Sequence, residues 1–118
     1  MLELNPETDL SFMTGQTLGQ VCFGVHDLHL NFSEGASIRI ESGVEFQALE
    51  GPIETFQSFA EAASRFALLL DQTVTSWEAA EDHSLCLIFS GGSKVWVFGD
   101  NQPNESFLIT HGSITIVV

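Results

Sequence analysis

LHLNFSEGASIRIE, residues Leu28 to Glu41, is the stretch on which the fold turns. Apolar side chains alternate at Leu28, Leu30 and Phe32, a Ser33-Glu34-Gly35 turn follows, and alternation resumes at Ile38 and Ile40. A period of two places successive side chains on opposite faces of an extended strand. Gly35 supplies the positive φ that a tight turn needs. The stretch predicts a β-hairpin with these apolar residues inward and His29, Asn31, Arg39 and Glu41 outward. The pattern then recurs. LCLIFSGGSKVWVF, Leu85 to Phe98, aligns with it at a constant offset of 57 (85 − 28), with identities at Leu85, Leu87, Phe89, Ser90 and Gly92. Val95 and Val97 stand where Ile38 and Ile40 stood.

Working outward, Gly15-Gln16-Thr17-Leu18 is matched by Asp71-Gln72-Thr73-Val74 at an offset of 56. Gln16–Phe23 reads as a strand in which Leu18 and Val21 are out of phase, as at a bulge or sheet edge. Gly24–Asp27 is a turn, matched by Ala80–His83, and Val44–Leu49 reads as a fourth strand. After the Gly51-Pro52 breaker the period changes. Ser58-Phe-Ala-Glu61 has the form of a capping box, and Phe59, Ala63, Phe66, Ala67 and Leu70 are spaced for one helix face. Gly99–Asn104 is a polar loop, and Glu105–Thr110 with Ser113–Val118 forms a last hairpin around His111-Gly112. The β-branched run at the C-terminus must be paired or covered. Residues Met1 to Thr14 read as an extended arm or one helical turn.

The expected fold is α+β and a single domain over 1–118. Two repeated antiparallel β-units, about 15–50 and 71–118, are joined by one central helix, about 58–70. The strands form a continuous sheet or a small sandwich with the helix on one face. The two hairpins differ on their outward faces. Against His29, Asn31, Arg39 and Glu41 the second carries Cys86, Ile88, Trp96 and Phe98. A face covered on both sides loses clean alternation, so we expect either the helix or a second copy of the chain, as a homodimer, to cover it. Ile88, Trp96 and Phe98 are the interface candidates.

Sixteen acids against Arg39, Arg65 and Lys94 leave a net charge of −13. Such a field opposes nucleic acid and anionic membranes and favours a basic protein partner. The longest purely apolar run, Phe66–Leu70, is far short of the roughly 20 residues that span a bilayer. MLELNPETDL has neither a basic n-region nor an apolar h-region, so a cytoplasmic location is expected. Cys22 and Cys86 are not at metal-motif spacing and read as small buried thiols.

No phosphate-binding, dinucleotide, nucleophile-elbow, zincin or EF-hand motif occurs. Ser90-Gly91-Gly92-Ser93 lies in a hairpin turn and not before a helix. No cofactor and no catalytic residue are expected. His26-Asp27 and Asp82-His83 fall in matched turns, and if a pseudo-twofold brought those turns together they would suit a divalent metal. The alternative is that they are ordinary turn residues. His29 with Glu41 reads as a cross-strand pair or an acid/base pair.

Gly15-Gln16, Leu28–Gly35, Gln72 and Leu85–Gly92 resemble small bacterial proteins of unknown function built from a twice-repeated β-unit. Some of these look like immunity proteins of bacterial toxin systems, which are small, acidic and cytoplasmic. The resemblance implies no functional residue. The expected function is a non-enzymatic binding or inhibitor protein for a basic partner. The alternatives are a small metal-binding domain or hydrolase-type enzyme using the turn His and Asp residues, and a structural subunit of an assembly.

Overall fold

The computed structural model describes residues 4–99 and 106–118. The expected polar loop falls, apart from Gly99, outside the described residues, as does Glu105. The strands are β1 (Leu18–Phe23), β2 (Leu28–Phe32), β3 (Ser37–Ile40), β4 (Val44–Gln47), β5 (Ile53–Glu54), β6 (Val74–Ala79), β7 (Leu85–Phe89), β8 (Lys94–Val97), β9 (Phe107–His111) and β10 (Ile114–Val117). Among the described residues one α-helix, α1 (Phe59–Phe66), interrupts them. All strand pairs are antiparallel and fall into two five-stranded sheets, β1-β2-β3-β9-β10 and β5-β4-β8-β7-β6. The protein is α+β, with the helix packed against the sheets.

The alternation read from the hairpins sets their register. Leu28 faces Ile40 and Leu30 faces Ile38 in one, and Leu85 faces Val97 and Leu87 faces Val95 in the other. All eight are fully buried and belong, with Phe46, Phe89, Phe107, Ile109 and Ile116, to one core between the two sheets. β1 is an edge strand whose register shifts between Leu18 and Gln20, so the out-of-phase Leu18 and Val21 mark a bulge. The C-terminal run is paired by β9 on one side.

The two sheets meet at a seam of exchanged backbone bonds. Leu18 N–H donates to Gln72 C=O at 2.9 Å and Val74 N–H to Gln16 C=O at 2.9 Å. Gly15 N–H donates to Val74 C=O, Asp71 N–H to Leu18 C=O, and the Thr17 and Thr73 hydroxyls lie 3.1 Å apart. Each Gln side chain repeats one role. Gln16 takes Glu34 N–H and donates to Phe12 C=O, and Gln72 takes Gly91 N–H and donates to Leu68 C=O. Gly15 (φ +90°) and Asp71 (φ +71°) occupy the same left-handed position shortly before β1 and β6.

Strand pairing crosses between the two halves of the chain. β4 pairs with β8 and β9 pairs with β3, so each half lends its later strands to the other half's sheet. Alternation states that a segment is a strand and which face is apolar; it carries no information about the neighbour. The crossing is fixed by local bonds. Ser42 Oγ donates to Phe98 C=O, Phe98 N–H donates to Gly43 C=O, and Glu41 and Ser42 N–H groups both reach Ser106 C=O. Gly99 passes so near the His83 backbone that a Cβ there would collide with the His83 carbonyl. β5 was not expected.

Ser58 caps α1 as the capping-box pattern predicts, accepting from Glu61 N–H at 3.1 Å. The far end differs. α1 stops at Phe66 and the chain tightens into a 3₁₀ turn, Ala67–Leu69, which buries Leu69 and leaves Ala67 and Leu70 exposed. An α-helical period continued past Phe66 misplaces that last turn. The buried face is Ala62, Ala63 and Phe66, with Phe66 against Phe46 and Phe56. An isolated helix this short would not persist in water, so packing on β1 of one sheet and β4 of the other holds it. α1 therefore bridges the two sheets with one face buried, and the helix, one of the two covers expected for β7–β8, packs instead on β1 and β4. The N-terminal arm is more structured than expected: Leu4, Leu10 and Met13 are fully buried, and Ser11–Met13 is a 3₁₀ turn.

Three substitutions test the seam. At Gly15 a Cβ would meet nothing within 4 Å. Gly15→Ala should therefore cost only the left-handed backbone term, about 1–2 kcal/mol in urea unfolding. Gln16 is 2% exposed, so Gln16→Ala should cost about 1–2 kcal/mol through its unpaired partners. The half-exposed Gln72→Ala should stay within about 0.5 kcal/mol.

Candidate functional site

One concavity lies where the chain changes sheets. It is a groove of about 600 Å³ between the start of α1, the 42–45 crossing and the Gly24–Asp27 turn. Val44 and Ala62 form its buried floor, and Phe56, Phe59, Phe98 and Val25 line its walls. Glu41 and Glu45 stand on its rim. A smaller depression of about 370 Å³ shares Val25, Ser58 and Phe59 with it and extends it to Phe23. Phe98 is held in place by the reciprocal Ser42–Gly43 bonds, with its ring 3.4 Å from where a Gly43 Cβ would sit. Val25 is 87% exposed and Phe23 55%. Apolar side chains clustered at a turn beside an aromatic groove are the usual mark of an interaction surface.

Nothing in the turn itself requires that exposure. In the matched turn of the other half, Ala79 and Glu81 stand where Phe23 and Val25 stand, at the offset of 56. The outer face of β7–β8 adjoins the groove. Across it, register places Glu78, Cys86, Trp96 and Glu45 in one row. The Glu45 side chain makes no hydrogen bond or ion pair among the described residues.

The other sheet carries a charge network on its outer face. His29 Nε2 lies 3.0 Å from Asp27 Oδ2, Arg39 Nε 3.7 Å from the same oxygen, and Arg39 Nη2 3.2 Å from Glu41 Oε1. The His29 hydrogen bond, opposed by partial burial and aided by the charges of His29 and Arg39 and by Gly24 N–H, holds the Asp27 carboxyl below its usual range. The expected His29–Glu41 pair is thus replaced. His29 faces Arg39 in the register and leans along its own strand to Asp27, while Glu41 takes Arg39.

The sequence-predicted residues are dispersed. Asp27 belongs to the network just described and His26 is exposed. Asp82 accepts from Ser84 N–H within its own turn, and the His83 ring meets Leu4 C=O at 2.6 Å. Among the described residues no three His, Cys, Asp or Glu side chains gather as a metal would require. The matched turns therefore do not converge into such a set. Ile88 and Trp96 are half-buried on the outer face of the second sheet, and Phe98 lines the groove. Cys86 is 8% exposed; burial pushes its thiol pKa up, Glu78 adds to the shift and Lys94 opposes it. A thiol held protonated is a poor nucleophile. His111 stacks on Phe12 at 4.7 Å and reaches Glu34 C=O.

Sequence reasoning missed Val25, Phe56, Phe59 and Glu45. One signal was available: Val25 is an aliphatic residue inside a Gly-x-His-Asp turn, where turn chemistry favours polar residues.

Fold and groove define a small two-sheet antiparallel α+β domain with an acidic-rimmed, aromatic-lined surface. The chain belongs to a family of unknown function, DUF6188, whose model matches residues 10–116. No protein with a curated description and no solved structure matches it. No helix among the described residues is long and apolar enough to cross a membrane.

The Asp27 network sets a pH dependence. Its carboxyl pKa is lower folded than unfolded, so its contribution is present above the unfolded value and is lost as pH falls through the folded one. Melting temperatures of the protein and of Asp27→Asn should differ at neutral pH, and the difference should shrink as the pH is lowered past the ordinary carboxylate range. A gap that stays constant as the pH is taken below that range would contradict the assignment.

Proposed function

We propose that this is a non-enzymatic binding protein, of the immunity or inhibitor kind, that engages a basic protein partner in the cytoplasm. One observation carries the reading. Of the three Lys and Arg residues, Arg39 is engaged by Asp27 and Glu41, and Arg65 by Glu54. That leaves Lys94 without an ion pair among the described residues, against the remaining acids. The surface field is then almost wholly negative, which steers cationic partners and raises their association rate. The histidines support the same reading. His29, His83 and His111 each hold a structural contact, to Asp27, Leu4 and Glu34 respectively.

The halves on either side of the seam are proposed to be two copies of one β-unit. The paired backbone and Gln bonds at offsets of 56 and 57 support this. Exchanging the turn segments Ser33–Ala36 and Ser90–Ser93 should then leave a folded protein with an unchanged far-ultraviolet circular dichroism spectrum. An unfolded exchange variant would count against the proposal.

For the binding role, immobilised protein should retain a basic protein from native extract at low salt and release it as salt rises. Retention of no protein with a high isoelectric point under either condition would refute it.

A further inference from the structure

We propose that the groove beside Phe98 is the contact point for the basic partner and takes one Lys- or Arg-flanked apolar side chain from it. This rests on the binding role proposed above and adds the place and the chemistry of recognition.

The groove and the row beside it present two kinds of complementarity side by side. Glu45 and Trp96 are direct cross-strand neighbours on the outer face of β4 and β8. Side chains so placed are within reach of a common ligand. A carboxylate next to an indole face suits a cation, because the charge pairs with the acid while the ring attracts it by its quadrupole. Among the described residues no cation of the chain pairs with Glu45 on the rim, whereas Glu41 is already engaged by Arg39. Two residues further along the chain from Trp96, Phe98 lines the groove together with Phe59 and Val25. A side chain from a neighbouring position of the bound segment reaches that apolar wall. An acidic or purely polar segment would leave the exposed Val25 uncovered and meet Glu45 as a like charge. The proposed occupant is therefore a basic segment with an aliphatic or aromatic anchor.

Diffuse attraction by the whole acidic surface would not distinguish among the carboxylates, and the groove must. Glu81 is the control: it is exposed, it lies in the matched turn of the other half, and it does not line the groove. Val25→Ser removes a side chain that is already 87% exposed, and Glu45→Gln keeps the shape while removing the charge. Both should leave the melting temperature unchanged.

The probes are two synthetic peptides, Lys-Arg-Phe-Arg-Lys and Lys-Arg-Ala-Arg-Lys, titrated at low salt and followed by amide chemical shifts and calorimetry. The expected result is about a tenfold preference for the Phe peptide, from partial burial of its ring. Shifts should be concentrated at Val25, Glu45, Phe59 and Phe98. Affinity should fall several-fold in Glu45→Gln and Val25→Ser and stay unchanged in Glu81→Gln. Equal binding of both peptides, with Glu81→Gln as damaging as Glu45→Gln, would overturn the groove while leaving the acidic-surface reading intact. If neither peptide binds, both fail.

Discussion

The structure depends on the exchanged backbone bonds between Gln16–Leu18 and Gln72–Val74. Each of these segments donates to and accepts from the other, so neither first strand has its starting conformation without its counterpart. The bonds align β1 and β6 edge to edge at the Thr17–Thr73 bridge and close one side of the sandwich. They also bring each 3₁₀ turn onto the first strand of the opposite half, burying Met13 and Leu69 there. Gln16 and Gln72 then tie the hairpin turns back to the same seam through Glu34 and Gly91. A buried polar side chain that satisfies two backbone groups in this way specifies one arrangement more than it adds net stability.

The second constraint is the crossing between sheets. Because β4 joins β8 and β9 joins β3, two chain segments must pass through the same space near Ser42, Phe98 and Ser106. Backbone bonds satisfy that passage, and at Gly99 the approach to the His83 carbonyl leaves no room for a Cβ. The groove lies where the 42–45 crossing and Phe98 meet the start of α1. Its apolar lining is what distinguishes it from the matched region of the other half.

Electrostatics and packing act on different faces. Asp27, His29, Arg39 and Glu41 form a linked set on one outer sheet face, and Arg65 is held by Glu54 with its guanidinium 5.4 Å from the Phe46 ring. These pairs consume nearly all the positive charge. Exposed pairs of this kind contribute little stability. Their larger effect is to leave Glu45, beside Trp96, without a counter-ion among the described residues.

Local signals were legible wherever one segment held the whole cause. Leu28–Phe32 and Leu85–Phe89 show their buried face in their own alternation, Gly35 and Gly92 mark turns by a φ near +90°, and Ser58 with Glu61 sets the start of α1. Features that need two distant segments were not legible. The replacement of Glu41 by Asp27 as the partner of His29, the burial of Leu4 and Met13, and the place of Leu69 at the tightened helix end all depend on what packs beside them. The groove is the clearest case, because Val25, Phe59 and Phe98 come from three separate segments. Which segments are strands, where they turn, which faces are apolar and how many acids the surface carries follow from residue order and composition alone. Which strand pairs with which, what covers each face and where the groove opens emerge only in the folded chain. Those are settled by competition among long-range contacts, and period, propensity and charge are the same for the right partner as for the wrong one.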